Sequence, residues 1–210
     1  MDRLNGFDKV AWFYDGLARL VFGNRLVEAQ RTYLHLIKPG SRVLILGGGT
    51  GQILEALFQL NPDCHVTYVD ASQAMLKRTQ QRGLKGDIRL LHGDENSIPD
   101  EAFTVVITPF YLDVFPEASL PNVIQQITSR LDPSATWIVA DFLPGKGFLE
   151  KLLLATMNAF FRVTTGIKAK SLPDWKGAIT SGGWIESNFR SDGFVGSSVF
   201  ERARDLPDSP

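Results

Sequence analysis

Gly47-Gly48-Gly49-Thr50-Gly51 places four glycines in five residues, directly behind the apolar run Val43-Leu44-Ile45-Leu46. Without a Cβ, main chain can turn sharply there and come within contact distance of a ligand. Gly47, Gly49 and Gly51 form GxGxG, whereas the dinucleotide fingerprint GxGxxG would need glycine where Gln52 stands. The loop therefore suits a ligand without phosphates lying across the glycines, with a purely structural Gly-rich turn as the plain alternative. Asp70 follows about twenty residues later, where a carboxylate can accept hydrogen bonds from both hydroxyls of a ribose. Its other reading is a helix cap ahead of Ser72. Asp94, in His92-Gly93-Asp94-Glu95, could accept from an adenine amino group or serve as an ordinary turn acid.

These residues need strand ends to hold them, and the sequence supplies a series. Arg42–Leu46, His65–Val69, Ile88–His92, Phe103–Thr108 and Thr136–Phe142 read as strands. Helices are expected at Gln52–Leu60, Ser72 to about Arg82, and Leu120–Leu131. Strands separated by helices of this length imply crossovers and a parallel sheet. Runs such as Val105-Val106-Ile107 suit strands covered on both faces. Trp184–Arg190 and Phe194–Ala203, joined through Ser191-Asp192-Gly193, read as an antiparallel hairpin. The fold expected is α/β: a Rossmann-like, doubly wound, mostly parallel seven-stranded sheet with a C-terminal antiparallel hairpin. Ahead of it, Phe7, Val10, Ala11, Tyr14, Leu17, Ala18 and Val21 share one helical face. A second helix is expected from about Arg25 to Ile37, and Ala169 to Gly183 reads as irregular.

At 210 residues the chain fits one domain. Lys plus Arg number 22 and Asp plus Glu 23, for a formal charge of −1. That balance argues against nucleic acid as the main partner. One cysteine, Cys64, forms no internal disulfide and reads as a small buried residue. No run of about 18 apolar residues offers a membrane span. The opening Met1-Asp2-Arg3-Leu4-Asn5-Gly6 lacks the apolar core of a signal peptide, so cytoplasm is the expected compartment. His35 and His92 read as structural, and no cluster of His, Cys and acids has metal-ligand spacing.

At these residues the chain resembles the class I S-adenosylmethionine-dependent methyltransferases, particularly the small-molecule group that includes the quinone-biosynthesis enzymes. Val43–Gly51 matches the family pattern Val-Leu-Asp-Leu-Gly-Cys-Gly-Thr-Gly. The second-strand acid falls on Asp70, the Gly-Asp after strand three on Gly93-Asp94, and the strand-five Asp-Phe on Asp141-Phe142. Phe7-Asp8, Ala11 and Tyr14-Asp15 resemble the N-terminal cofactor cover, and the terminal hairpin resembles the family's reversed seventh strand. The resemblance implies S-adenosyl-L-methionine as cofactor. Gly47, Gly48, Gly49 and Gly51 would lie along its methionyl part, Asp70 and Ala71 by the ribose, Asp94 and Glu95 near the adenine, with Met75, Thr108 and Tyr14 completing the contacts. Met75 reads equally as core. Two positions depart from the pattern: Ile45 replaces the strand-one acid, and Thr104 replaces the strand-four aspartate.

The activity expected is methyl transfer to a small, apolar or aromatic acceptor. The alternative is a non-catalytic S-adenosylmethionine-binding partner or regulator, kept open by Ile45 and the lack of an evident base. Methyl transfer needs mainly alignment, with a base only where the acceptor carries a proton of high pKa. Asp113 is the candidate base, with Tyr111 beside it; an exposed acid or cap is the simpler reading of Asp113. Within a single domain spanning 1–204, residues 1–38 would form a helical cover and 146–183 a helical lid or insertion, leaving 205–210 as a tail. The apolar helix Phe148 to Val163 suits a lid, an extra core helix, or shallow contact with a membrane or second subunit. A homodimer is compatible with it. Trp175 and Trp184 would stand near the lid.

Overall fold

The computed structural model describes residues 24–144 and 172–203. The expected first helix, Tyr14, the helix from Phe148 to Val163 and the tail lie outside them. Chain order is α1 (Arg25–Arg31), β1 (Arg42–Leu46), α2 (Gln52–Leu60), β2 (His65–Asp70), α3 (Gln73–Gln81), β3 (Asp87–His92), β4 (Phe103–Pro109), α4 (Leu120–Thr128), β5 (Leu131–Phe142), α5 (Trp175–Ser181), β6 (Trp184–Asp192) and β7 (Val195–Arg202). The strands form one seven-stranded sheet in the order β3-β2-β1-β4-β5-β7-β6. Pairing is parallel from β3 through β5, then antiparallel for β5 with β7 and β7 with β6. The order reverses between β1 and β4, which opens a crevice at their carboxyl ends.

Period-two alternation explains the layers. Val43 and Ile45 of β1 pack with Leu54 and Leu57 of α2 on one face. Leu44 and Leu46 join Ile124 and Ile127 of α4 on the other. A strand buried on both sides has no polar face, hence its continuous apolar sequence. Between β6 and β7, Asp192 pairs with Val195, so the turn residues are Gly193 and Phe194. Gly193 has φ +62°, as the first position of a two-residue hairpin turn of the II′ type demands.

Three expectations need correction. The helix expected from Arg25 to Ile37 ends at Arg31 and resumes only as a 3₁₀ turn at Leu34–Leu36. Strand β5 begins at Leu131 rather than Thr136, and α4 stops at Thr128. The Phe103–Leu131 pair is followed by Val105–Thr136, and the extra residues on β5 are taken up where the Asp132 carboxylate accepts from the Ser134 amide at 2.9 Å. The segment read as irregular contains α5. Asp174 caps it by accepting from the Gly177 amide at 2.9 Å, and Ile179 and Trp175 anchor it in the core. Glycine and β-branched residues within its seven positions hid it from periodicity.

Trp175 and Trp184 are both buried, packed with Trp137 and Phe200 beneath α4 and α5. The Trp175 indole N–H donates to the Phe142 carbonyl at 2.8 Å, and that of Trp184 to Thr128 Oγ1 at 3.1 Å. Both indoles therefore serve this core. Strand β6 is an exposed edge, where Lys176 both pairs with Glu186 and lies 3.4 Å from the centre of the Phe189 ring.

Candidate functional site

The carboxyl ends of the parallel strands bring four chain segments together: the glycine loop after β1, Asp70–Ser72 after β2, Gly93–Ser97 after β3, and Phe110–Asp113 after β4. The Gly47 amide donates to the Val69 carbonyl at 2.9 Å, extending the β1–β2 ladder into the loop. Gly47, Gly49 and Gly51 have φ of +72°, +64° and +76°, a left-handed conformation that side chains disfavour. The reasons for glycine differ. A Cβ at Gly47 would lie 2.6 Å from the Tyr111 ring, and one at Gly51 would lie 2.7 Å from the Thr79 methyl. Among the described residues, a Cβ at Gly49 would meet no heavy atom within 4 Å. Open space thus lies over the middle of the loop.

The loop is held from its β2 side. Asp70 Oδ2 accepts from the Gly49 amide at 2.9 Å, and Oδ1 accepts from the Ser72 amide at 2.9 Å. The Tyr68 hydroxyl and Thr79 Oγ1 both donate to the Gly49 carbonyl, at 2.9 and 3.0 Å. Arg82 donates to the Thr50 carbonyl and pairs with Glu55. Ile45 is fully buried against α2. Burial raises the Tyr68 phenol well above its usual range, with the nearby Asp70 charge adding to it. The phenol therefore stays a donor at any physiological pH.

Asp70 is not the cap of α3. That role belongs to Ser72, whose hydroxyl accepts from the Met75 amide at 3.2 Å. Met75 is buried yet belongs to none of the three apolar clusters. The Ala71 carbonyl engages His92 Nε2 at 3.1 Å. Asp94 Oδ1 accepts from both the backbone and side-chain nitrogens of Asn96, each at 3.0 Å, which fixes the turn after β3. The Tyr111 hydroxyl donates to Glu95 Oε2 at 2.7 Å, joining the β3 and β4 exits with the tyrosine ring against Gly47. Thr108 lies apart from this group: it is fully buried, and its Oγ1 accepts from Trp137 Nε1 at 2.9 Å within the core. Thr108→Val should lower stability by about 1–3 kcal/mol, because the indole N–H is left buried and unpaired. A urea titration against the parent chain checks this.

The exit of β4 is strained. Phe110 has φ +51°, rare for a bulky side chain; the Phe110 amide bonds to the Ala140 carbonyl at 2.7 Å, and its ring packs on Phe142 at 4.9 Å. This turn aims the next amides at Asp141. Asp141 Oδ2 accepts from Leu112 and Asp113, at 3.1 and 3.3 Å, and Oδ1 accepts from Phe142 at 2.8 Å. Sequence reasoning matched Asp141 to a family position without giving it a task. Nor did it find Tyr68, Thr79 or Arg82, whose partners are distant in the chain.

Asp113 Oδ1 is buried without a hydrogen-bond partner. Burial raises this carboxyl from 3.8 to about 7. The folded state therefore holds a proton that the unfolded chain releases between about pH 4 and 7, and stability falls as pH rises through that interval. Asp113→Asn should flatten this slope and raise stability at pH 8 by about 1–2 kcal/mol. Thermal melts from pH 4 to 8 provide the check.

Residues 43–134 match a family described as methyltransferase domain. A demethylmenaquinone methyltransferase of Chlamydia pneumoniae is 25% identical over 140 residues, covering 67% of this chain and 61% of that protein. A ubiquinone/menaquinone biosynthesis C-methyltransferase of Ectopseudomonas mendocina is 28% identical over 156 residues, covering 70% and 60%. The solved structure of a DhpI–SAH complex shares the fold with a TM-score of 0.73 at 15% identity, covering 97% of this chain and 96% of that one. Over this segment the chain is similar in sequence to methyltransferases, and its fold is that of the solved structure.

The chain spans about 60% of the length of the curated relatives it matches. Its glycine loop follows β1, Asp70 ends β2, and β7 runs antiparallel to β5. Among the described residues, no three His, Cys, Asp or Glu side chains are grouped to hold a metal ion. No helix among them is long and apolar enough to cross a membrane.

Proposed function

We propose that this chain binds S-adenosyl-L-methionine across Gly47–Gly51 and transfers its methyl group to a small, apolar or aromatic acceptor, of the quinol kind named in its relatives. The observation carrying this reading is the open left-handed Gly49, with the Asp70 carboxylate bonded to its amide. Space above bare main chain next to a carboxylate fits a nucleoside with a short charged tail, and Gln52 stands where the pyrophosphate fingerprint needs glycine. When bound, S-adenosylmethionine supplies a methyl group already activated on sulfur. The protein's part is then alignment and exclusion of water.

In this reading Asp70 and Ala71 hold the ribose, Asp94 and Glu95 flank the adenine with Met75 beneath it, and Tyr111 walls the methionyl end. Residues 1–38 would cover the cofactor, with Tyr14 among them, and the part of 146–183 ahead of α5 would close over the acceptor. The compartment proposed is the cytoplasm. Calorimetry with S-adenosylhomocysteine and NADH, followed by incubation with tritium-labelled donor and metabolite extracts, tests the proposal. Binding of the first compound alone, with label in an organic-soluble product, supports it. Binding of NADH instead, or labelled product only in nucleic acid, contradicts it.

A further inference from the structure

The glycine loop rests on Tyr68, a fully buried side chain of β2. Its hydroxyl donates to the Gly49 carbonyl at 2.9 Å, and Thr79 Oγ1 of α3 donates to the same oxygen at 3.0 Å. Two neighbouring positions suit that contact. Ile45 pairs with Tyr68 in the β1–β2 register, packs in the same apolar cluster and offers the hydroxyl no competing acceptor. Gly48 leaves room for the ring, since a Cβ there would collide with the phenol oxygen and the ring carbons beside it. These are the two places where Val43–Gly51 departs from the family pattern, which has aspartate and cysteine there.

We propose that Tyr68 is a positioning residue for the amino-acid tail of the ligand: it holds the Gly49 carbonyl against the core and so keeps that oxygen off the face of the loop that receives the tail carboxylate. This rests on the S-adenosylmethionine reading of the site. It gives the grip on the tail to a side chain that lies beneath the loop and does not touch the ligand.

A trans peptide carries its C=O and N–H on opposite sides. With the Gly49 carbonyl turned toward Tyr68 and Thr79, the opposite side of that peptide presents the positive end of its dipole. The next carbonyl, that of Thr50, is engaged by Arg82 of the α3 C-terminus. Two successive carbonyls are therefore tied to side chains of β2 and α3, and a stretch of loop with its carbonyls turned away suits an anion. A flipped Gly49 peptide would set an acceptor oxygen against the tail carboxylate instead. Glycine at φ +64° has no side chain to resist such a flip, so the hydroxyl donors must supply the restraint.

Calorimetry with S-adenosylhomocysteine and with 5′-methylthioadenosine tests this, the second affinity being read by displacement of the first. The two probes share the nucleoside, and only the first carries the amino-acid tail. Tyr68→Phe keeps the ring and removes the hydroxyl. It should weaken S-adenosylhomocysteine by about 5-fold and 5′-methylthioadenosine by less than about 2-fold. Thr79→Val should show the same selective loss. Combining the two variants should weaken S-adenosylhomocysteine by about 50-fold, more than the product of the single losses, because the Gly49 carbonyl then has neither donor. A merely structural role would weaken both probes alike. Equal losses on the two probes, or unchanged affinity in both single variants and their combination, would overturn the Tyr68 assignment alone. Absence of S-adenosylhomocysteine binding by the wild-type chain would overturn the reading beneath it.

Discussion

Asp70→Ala should weaken S-adenosylhomocysteine binding by about 100-fold, the largest effect expected from a single side chain in this site. Two losses combine. The carboxylate that would accept from the ribose hydroxyls disappears, and a charge-assisted bond of that kind is worth about 1.5–3 kcal/mol. The Gly49 amide, now held by Oδ2 at 2.9 Å, also loses its acceptor, so the loop must find its binding conformation unaided. Stability should fall as well, by about 1–3 kcal/mol, since the Ser72 amide loses Oδ1. Asp70→Asn separates the two. Its amide oxygen can still accept from one of the two backbone N–H groups, so it should lose less stability than Asp70→Ala while binding the nucleoside at least about 10-fold more weakly. Calorimetric affinity and thermal melts read the two quantities independently. Unchanged affinity in Asp70→Ala would remove ribose recognition from this residue.

Gly49→Ala should lose a comparable share of binding for a different reason. At φ +64° the new side chain costs about 1–2 kcal/mol of backbone strain. It touches none of the described residues, since a Cβ there has no heavy atom of theirs within 4 Å. Folding therefore pushes back only through strain, whereas a ligand lying on the loop would collide with the methyl group. The expected result is a drop in S-adenosylhomocysteine affinity of about 100-fold with a fall in melting temperature of a few degrees. Gly40→Ala is the matched control. Gly40 has φ +71° and also meets nothing within 4 Å, but it lies in the turn before β1, at the opposite end of the strand from the loop. Both variants should lose the same stability, and only Gly49→Ala should lose affinity. Equal affinities would mean that the open space over Gly49 is not where the nucleoside lies.

The parts of the site legible in the sequence are those encoded locally. The bounds of β1 and α2 follow from an apolar run, a glycine cluster and an amphipathic helix in direct succession, and the structure places both as read. Asp70 was visible because a strand end and an acid fall at a recognisable distance from the loop. Thr108 faces the Trp137 indole rather than the crevice, and a strand buried on both faces gives no alternation from which to choose its face. Tyr68 and Thr79 reach the Gly49 carbonyl from 19 and 30 residues away, and the Leu112 amide meets Asp141 across 29. Such pairings exist only once parallel strands bring their carboxyl ends together. Helix α5 escaped because tertiary burial of Trp175 and Ile179, rather than propensity, holds its two turns.

Replacing the strand-one acid by Ile45 shows how a family pattern can change without losing its geometry. The isoleucine strengthens the apolar layer under α2, while Asp70, Tyr68 and Thr79 fix both polar groups of the Gly49 residue.

Crystals grown with S-adenosylhomocysteine put the cradle itself to the test. The nucleoside should lie over Gly47–Gly51 with a ribose hydroxyl about 2.7–3.0 Å from an Asp70 oxygen. Density for the compound in another crevice, or a clear loop at saturating ligand, would contradict it.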